Sequence, residues 1–419
     1  MRNKFQKQKP GCYGVCGMAT VVISMVVLIH LAIMAPAAAA QDFNVIFNMP
    51  PGPGAPAGPV SIDRFGNLYG MMGDAWGVQG GTAYRLSQRN SAWIMSPLYR
   101  FPGFSDGWDI EFPLTPGPDG RIYGTTIQGG QGSCGEPYEY QGCGTIFVLT
   151  PPARACQAVF CPWTKTILYI FNGLQDGGIP SSPVVFDNAG NLYGTTGWGG
   201  YFSFDCWDGC GTVYKLSRSA SGWQFQALYA FHGFSDGYAP EGGLALDRAG
   251  NIYGETSNGI VYKLTPSGSS WTEKILYSFG QYPGDGSDPS EGLSFDRAGN
   301  LYGTTAFGGA NGKGTVFQLS PADGQWTETQ LYSFNDNNAQ PAGVTVNAAG
   351  EVEGAMNAGG LYGLGYVYRL TPDGNNWTFR SLHDFTGTDD GQWPWRPLAL
   401  DSNNNLWGVD DRVVWEITP

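Results

Sequence analysis

The sequence predicts an all-β fold, a seven-bladed β-propeller with four strands per blade. Three observations predict it. A phrase whose best copies read Gly-Asn-Leu-Tyr-Gly occurs seven times, each copy stands in the same series of strand signals, and that series is offset by one strand between the two ends of the chain. Self-similarity at spacings of 49 to 70 residues indicates stacked supersecondary units. The copies begin at Gly66, Gly120, Gly190, Gly250, Gly299, Gly350 and Asn404.

The first forty residues have the layout of a secretory signal peptide. A basic start is followed by the apolar run 18–34 and by the small-residue stretch 35–40, just before Gln41. The alternative is an uncleaved membrane anchor, because the run approaches spanning length. The Ala-x-Ala ending favours cleavage, so we expect an exported mature chain, 41–419, that forms a single propeller domain and is a monomer.

Each repeat unit reads as four short strands, a to d, with turn residues between them. Period-2 runs bounded by Gly, Pro, Asn and Ser are strand and hairpin signals. In the clearest unit, the turn after strand c is expected at 266–270, and the predicted strands are 243–247, 251–256, 260–265 and 271–279.

The number of strands of each type differs by one. Seven c strands can be assigned, beginning at Thr82, Thr145, Thr212, Ile260, Thr315, Tyr366 and Val413, but only six d strands follow them. The missing d strand is found at the other end, where 43–47 precedes the first strand a. We therefore expect 43–47 to pair with 413–418, because ring closure removes exposed sheet edges.

Composition and cysteine content narrow the class of protein further. The net charge of −13 becomes more negative once the four basic residues of the leader are removed, which argues against nucleic acid as a partner. Six cysteines follow the leader, and an even number in an exported chain favours disulfides. Local pairing predicts Cys134–Cys143, Cys156–Cys161 and Cys206–Cys210. A zinc site is the alternative, but neither histidine after the leader lies beside these cysteines, so no metal or other cofactor is expected.

The repeat resembles the GloVer (Gloeo/Verruco-type) tandem repeats of exported bacterial proteins. In that family Gly-x-Leu-Tyr-Gly-Thr-Thr, Gly-Thr-Val-Tyr-x-Leu and Leu-Tyr-x-Phe follow one another, as they do here at 190–196, 211–216 and 228–231. Unit six departs from the pattern, with Glu351-Val-Glu353. The resemblance implies export and a propeller-like repeat but no reaction. Members often carry a C-terminal anchor, and none is visible before Pro419.

Aromatic residues in the long loops are the candidate ligand-binding residues. Strands alternate in direction, so the b–c and d–a loops emerge on one face, where function is often carried by loops over a rigid scaffold. Aromatic rings beside Asp, Asn and Gly suit sugars, although the same rings could instead pack between blades. The candidates, expected to bind glycan or an extracellular protein, are Trp108, Trp198, Trp207, Tyr238, Trp393 and Trp395.

Carboxylates give the second set of candidates. The Asp-x-x-Gly-Asn turns between strands a and b, and the Asp-Gly pairs of the d–a loops, are expected to be turn formers. Calcium at the former is disfavoured because single carboxylates cannot supply its six to eight ligands. A ring of carboxylates at the channel mouth is the functional alternative for the Asp-Gly pairs.

No catalytic motif occurs, but a polysaccharide-active enzyme, glycosidase or lyase, is the alternative to a binding protein. Its acids could be Glu136, Glu139, Asp205, Asp208 or Glu241.

Overall fold

Seven antiparallel sheets form the ring of a β-propeller. The computed structural model describes residues 41–50, 58–73, 80–130, 133–134, 140–153, 163–289, 291–336 and 339–419. The leader, 1–40, and the pair Cys156–Cys161 lie outside the described residues. Each blade runs from strand a at the centre to strand d at the rim. In the described part of the chain the only helix is the 3-10 turn Phe104–Asp106, and no helix is long and apolar enough to cross a membrane.

Each blade contributes its strands in the order a to d from the centre outwards, and the blades are numbered 1 to 7 along the chain. The a strands are Ser61–Ile62, Thr115–Pro116, Gly178–Pro180 with Val185–Phe186, Pro240–Leu246, Gly286–Pro289 with Ser294–Phe295, Pro341–Val346 and Ala399–Leu400. The b strands are Leu68–Met72, Ile122–Thr126, Leu192–Trp198, Ile252–Thr256, Leu301–Gly308, Val352–Met356 and Leu406–Val409. The c strands are Thr82–Arg89, Thr145–Thr150, Thr212–Ser219, Ile260–Ser267, Thr315–Ala322, Tyr366–Asp373 and Val413–Thr418. The d strands are Ala92–Arg100, Thr164–Ile170, Gly222–Ala230, Ser270–Ser278, Gln325–Ser333, Asn376–Asp384 and, for blade 7, Asp42–Asn48. A small hairpin, Ser133–Cys134 with Tyr140–Gln141, stands outside the blades.

The predicted closure of the ring is confirmed. Asp42–Asn48 is the outermost strand of blade 7 and pairs antiparallel with Val413–Thr418, from Asp42 opposite Thr418 to Asn48 opposite Val413. Phe43 on this strand stacks on His383 of blade 6, with ring centroids 3.6 Å apart. The first strand of the chain therefore completes its last blade and also packs against the preceding one.

The hydrophobic core consists of seven clusters, one in each seam between consecutive blades. In the seam between blades 4 and 5, for example, Tyr253 and Leu276 pack with Leu301 and Phe317. The seam between blades 7 and 1 contains a cluster of the same kind, which includes Trp407 and Leu68. Apolar burial therefore runs around the whole ring.

Close packing explains the final glycine of the repeated phrase. An aromatic ring on strand c lies directly over this glycine on strand b, and a Cβ there would overlap the ring in every blade. The pairs are Gly70 with Tyr84, Gly124 with Phe147, Gly194 with Tyr214, Gly254 with Tyr262, Gly303 with Phe317, Gly354 with Tyr368 and Gly408 with Trp415.

The tyrosine of the phrase is explained by the a–b turn. Asp187 accepts hydrogen bonds from the backbone N–H groups of Ala189 and Asn191, each at 2.9 Å, and from the Tyr193 hydroxyl at 3.0 Å. The turns at Asp63, Asp247 and Asp296 repeat this arrangement. These aspartates are therefore turn formers, as expected from the sequence.

In blade 6 a hydrogen bond also links the a–b turn to strand b, but the carboxylate belongs to strand b instead of the turn. Asn347 stands where five of the other six turns have Asp, and Glu353 stands where five of the other six blades have Tyr. Asn347 donates to Glu353 at 3.4 Å, and the Arg369 Nε–H donates to the same oxygen at 2.7 Å. The two changes in unit six, Asn for Asp in the turn and Glu for Tyr on strand b, therefore compensate each other.

Several strand boundaries differ from the prediction, and strand a of the clearest unit runs over Pro240–Leu246 rather than 243–247. The d strands end one residue before the phenylalanine of Leu-Tyr-x-Phe, and Phe231, for example, leaves the ladder to fill a seam while its N–H donates to the carbonyl of Gly211. The c–d turn is also tighter than 266–270, because Ser267 pairs with Ser270 and leaves a two-residue hairpin loop.

Candidate functional site: the mouth of the central channel

Exposed hydrophobic side chains are concentrated on one face of the ring. We call the side bearing the b–c and d–a loops the loop face and the side bearing the a–b and c–d turns the turn face. Of the fifteen large hydrophobic side chains that are exposed among the described residues, twelve lie on the loop face. They are Leu174, Tyr201, Phe202, Phe204, Trp207, Phe234, Tyr282, Phe307, Leu361, Tyr362, Trp393 and Trp395.

The six aromatic residues selected from the sequence divide into two groups. Trp207, Trp395 and Trp393 are 77%, 54% and 39% exposed. Trp108, Trp198 and Tyr238 are half-buried, and the last two pack against seam clusters. Blade order places Trp198 and Trp207 in blade 3, whereas Trp393 and Trp395 lie between blades 6 and 7. The six are therefore spread around the ring and do not form one contiguous group.

An aromatic patch lies over blades 3 and 4, in two loops that a hydrogen bond joins. We define it as Tyr201, Phe202, Phe204, Trp207 and Phe234. The rings of Phe204 and Trp207 are 5.7 Å apart, and the Phe234 N–H donates to Asp205 Oδ2 at 3.5 Å, which joins the two loops that form the patch. The disulfide Cys206–Cys210 lies within the first loop. The aromatic patch is thus held out to solvent by a cross-linked loop.

Two of the three predicted disulfides are present in the described residues. Cys134 is bonded to Cys143 and Cys206 to Cys210. The described part of the chain contains no group of three His, Cys, Asp or Glu side chains placed to hold a metal ion.

The central channel opens into a cavity of about 490 Å³ whose lining comes from all seven blades. The lining from each blade includes at least one member of a repeated pair, a Pro or Gly followed by Leu or Val, at 59–60, 113–114, 183–184, 243–244, 292–293, 343–344 and 397–398. The Leu or Val packs into a seam cluster in every blade. These seven pairs form a repeated apolar collar.

The residues just before this collar are not repeated, and they carry the charges of the channel. Glu111 and Glu241 stand two residues before the collar pairs of blades 2 and 4, and Glu291 and Arg396 stand one residue before those of blades 5 and 7. Glu111 and Glu291 are open to solvent from within the channel, whereas Glu241 is half-buried. The channel mouth is therefore acidic, with one cation on its wall.

A fourth glutamate lies behind the wall. Glu255 on strand b of blade 4 is fully buried and stands directly opposite Glu241 on strand a. Directly opposed residues of an antiparallel pair point to the same face of the sheet, with Cβ atoms about 5 Å apart. Glu255 Oε2 accepts a hydrogen bond of 2.8 Å from the N–H of Gly292, next to Glu291, whereas Oε1 is buried without a hydrogen-bond partner.

Removal from bulk water, partial or complete, raises the pKa of these acids, even that of Glu291, whose side chain keeps contact with the solvent of the channel. Desolvation, with repulsion from Asp288 and Glu291, raises the pKa of Glu241 to about 7. Desolvation raises the pKa of Glu291 to about 7, although the charge of Arg396 lowers it. The pKa of Glu255 is raised to about 8, chiefly by desolvation and against the hydrogen bond from Gly292. The carboxyls of this wall therefore retain protons near neutral pH.

Strained backbone recurs in the d–a loops of the loop face. In five d–a loops the third residue after the Asp of Asp-Gly has a positive φ, between 46° and 63°, although none of these residues is glycine. The five are Asp109, Ile179, Ala239, Asp288 and Trp393. Such conformations are uncommon for residues with a Cβ and cluster at functional sites. Neighbouring loops hold them in place: Ile179 N–H, for example, donates to the Cys143 carbonyl of the preceding blade at 2.9 Å.

The aspartates of the Asp-Gly pairs are engaged at the rim of the ring. Asp176 and Asp236 accept hydrogen bonds from tyrosines of the outermost strands, at 2.9 and 2.7 Å. Asp106, Asp285 and Asp390 make corresponding contacts. The described lining of the channel includes none of the five, so the carboxylates at its mouth are a different set from the one the sequence suggested.

Sequence reasoning found only part of this site. Glu241 was among the candidate acids, Asp205 and Asp208 lie in the loop of the aromatic patch, and Glu136 and Glu139 lie outside the described residues. Glu291 and Glu255 were missed. The signal for Glu255 is the phrase Tyr-Gly-Glu-Thr, which has a glutamate where units two, three and five have threonine.

Comparison with solved structures supports the fold. A streptogramin B lyase structure matches 90% of this chain and 97% of its own at a TM-score of 0.57 and 13% identity. YCF48 bound to a D1 peptide matches 91% and 96% at 0.53 and 14% identity. The extracellular domain of a hybrid two-component system from B. thetaiotaomicron matches 90% of this chain and 39% of its own, at 0.54 and 11% identity. At these identities the likeness concerns the fold alone.

A sequence-family model matches residues 208–413, about half of the chain, and no curated protein matches. The matched segment runs from blade 3 to blade 7 and contains the phrases that the structure explains by packing. The chain thus carries the Gloeobacter/Verrucomicrobia repeat, folded as a seven-bladed β-propeller.

Proposed function

We propose that this protein is an exported, non-catalytic propeller that binds glycan through aromatic side chains of its loop face. The observation that carries the proposal is the one-sided distribution of exposed rings, above all the aromatic patch of Tyr201, Phe202, Phe204, Trp207 and Phe234. Exposed apolar area of this extent is unusual on a soluble monomer and marks interaction sites. The disulfides and the leader-like residues 1–40 support export.

Chemical complementarity favours a sugar over other ligands. Asp205 and Asp208 stand in the same loop as Phe204 and Trp207, so hydrogen-bond acceptors lie beside rings on which C–H faces can stack. The Cys206–Cys210 cross-link reduces the conformational freedom that this loop loses when it binds. Trp393 and Trp395 offer a second pair of exposed rings at the channel mouth.

A glycan array on the purified protein, followed by titration of the hits with Trp207→Ala, tests this proposal. Loss of one stacking ring should weaken binding by about 1–3 kcal/mol. Because Trp207 is exposed, the melting temperature should change little. Leu174→Ala, an exposed aliphatic side chain on the same face, is the control. Absence of glycan binding, with capture of a protein through the same patch, would replace this proposal by a protein-binding one.

A polysaccharide-active enzyme is the second candidate, favoured by the glutamates of the channel. A carboxyl that retains its proton near neutral pH is what a general acid requires, and Glu241, Glu255 and Glu291 have this property. The fold does not decide between the two, because propellers host both catalysis and binding. Release of reducing ends from an array hit, abolished by Glu241→Gln, would favour the enzyme.

A further inference from the structure

We propose that the turn face carries a binding site for a small organic acid, a carboxylate on a flat apolar body. The site is a cavity of about 730 Å³ between the a–b turns of blades 1, 2 and 3. We call it the turn-face cavity; it is lined from 62–69, 116–122 and 186–190, together with Arg85, Pro151 and Trp163. The aromatic patch lies on the opposite face, so this second site goes beyond the proposed glycan binding.

The walls of the turn-face cavity are largely aromatic and apolar. Tyr69 and Trp163 are at most 8% exposed and belong to the hydrophobic cluster in the seam between blades 1 and 2. Phe65 of blade 1 and Phe186 of blade 3 add two further rings, and prolines stand at 116, 118 and 151. The volume lies within the range of small-molecule sites. Such walls suit a ligand with a flat apolar body.

Phe65 is a departure from the repeat. The equivalent residue of the a–b turn is alanine in blades 3 to 6, at 189, 249, 298 and 349. Phe65 is 74% exposed and is, among the described residues, the one exposed large aromatic side chain outside the loop face. The Arg64 guanidinium lies over its ring, 4.8 Å from the centroid. Since four sister turns fold with alanine, folding does not require an aromatic ring at this position.

Three arginines line the same cavity, and Arg85 is the most enclosed of them. Arg85 stands directly opposite Tyr69 on the neighbouring strand. In blade 6 the equivalent Arg369 is neutralised by the buried Glu353, to which its Nε–H donates at 2.7 Å. Arg85 forms no ion pair with any described residue, and its Nε–H, turned away from solvent, has no acceptor there either. Its charge therefore lacks an internal partner.

The carboxylates around the cavity are already engaged. Asp63 and Asp187, which line it, each accept hydrogen bonds from two backbone N–H groups and the tyrosine of their own turns. Asp119 lies 3.8 Å from Arg121 but is bound more closely, at 2.6 Å, by Arg218. Three arginines thus face two aspartates whose oxygens are occupied, which leaves an excess of positive charge in a chain whose net charge is −13.

Charge and shape together select the ligand class. A cation would meet three arginines, and a phosphate dianion would lose more hydration against the apolar walls than a singly charged carboxylate does. The guanidinium fork matches the two oxygens of a carboxylate, and apolar walls strengthen the ion pair by lowering the local dielectric constant. We therefore expect an aromatic acid in the turn-face cavity.

Calorimetric titration of the intact protein with benzoate and cinnamate tests this inference. Benzamide and cinnamamide keep the flat ring without the charge, and acetate keeps the charge without the ring. At neutral pH both acids are ionised. We expect each acid to bind about tenfold more tightly than its amide, and acetate to bind more weakly than benzoate. Equal binding of acid and amide, equal binding of acetate and benzoate, or no binding of either acid would overturn the proposal.

Substitutions that the chain itself uses in other blades then locate the site. Phe65→Ala and Arg121→Asn introduce the residues found in four and in five of the other six a–b turns, so the melting temperature should change little. Each should weaken benzoate binding about fivefold or more, through loss of a ring or of a charge. Arg64→Gln should act likewise, and Arg297→Gln, the equivalent change in blade 5 outside the cavity, is its matched control. Equal binding by Arg64→Gln and Arg297→Gln, or full binding by the first two variants, would refute the site.

Discussion

Replacing Glu255 with glutamine should stabilise the protein at neutral and alkaline pH and leave its stability in acid unchanged. In the folded chain burial raises the pKa of Glu255 from the ordinary 4.5 to about 8. The folded state therefore binds more protons than the unfolded state between these two values. Stability is greatest below about pH 4.5 and decreases as the pH rises to about 8, where the carboxyl must ionise in the folded protein.

The magnitude follows from that interval. Each pH unit between the two pKa values costs about 1.4 kcal/mol of unfolding free energy, so the whole interval sets an upper limit of about 5 kcal/mol. Part of the shift comes from repulsion between Glu255 and the neighbouring Glu241 and Glu291. In the variant, the new amide would place a buried N–H group without an acceptor where Oε1 now lies. We therefore expect Glu255→Gln to gain about 2–3 kcal/mol at pH 8. Glu255→Thr should gain less, because it removes the acceptor of the Gly292 N–H.

Urea unfolding at pH 4, 6 and 8 measures the effect. The gain of Glu255→Gln over the parent protein should grow with pH. Asp389→Asn makes the same charge change on an exposed loop and should give parallel curves. If the parent and Glu255→Gln lose stability equally between pH 4 and pH 8, Glu255 is not held protonated and the account of the channel wall is wrong.

Three further predictions concern the ring. Deleting 41–48 removes the outer strand of blade 7, so the melting temperature should fall by an amount equivalent to several kcal/mol and aggregation should rise; a truncated protein that melts like the parent would contradict closure. Reducing Cys206–Cys210 should speed hydrogen exchange in its loop while the b and c strands stay protected, because the bond closes a short loop worth about 2–3 kcal/mol; exchange throughout the ring would contradict this. Asp187→Ala should lower the free energy of unfolding by about 2–4 kcal/mol in a denaturant melt, because the Tyr193 hydroxyl and two turn N–H groups lose their acceptor. The control, Asp389→Ala on an exposed loop, should lower it by under about 0.5 kcal/mol.

The outer strands, c and d, could be predicted because the residues that favour a strand locally are also the ones that the packing between strands and blades requires. All seven c strands begin at the residue that the sequence indicated. Five of them start with a residue that pairs with strand b, and every one soon reaches the aromatic ring over the glycine. The inner strands were not predictable in length. Proline at 113, 183 and 397 removes a ladder donor in blades 2, 3 and 7, where strand a pairs over only two or three residues.

The channel site was only partly predictable, because its members are far apart in the chain. Glu111 and Glu291 belong to different blades, and only ring closure brings them to one cavity. Among aromatic residues, the sequence could not separate Trp207, which is exposed, from Trp198, which packs against a seam. Trp198 ends strand b of blade 3 and Trp207 lies in the loop that follows, and the difference depends on contact with the neighbouring blade.

Seven copies of one unit allow structural and functional positions to be compared within a single chain. Positions that recur have a packing reason, such as the glycine under an aromatic ring or the Leu and Val of the collar. Positions that should be equivalent but differ have no such reason. At the channel mouth Ser181 and Glu241 hold one such position, and Glu291 and Arg396 hold the next one. Since the first position takes serine or glutamate and the second takes glutamate or arginine, packing of the blade does not require acids there, and the acids of blades 4 and 5 are candidates for a functional role rather than a structural one.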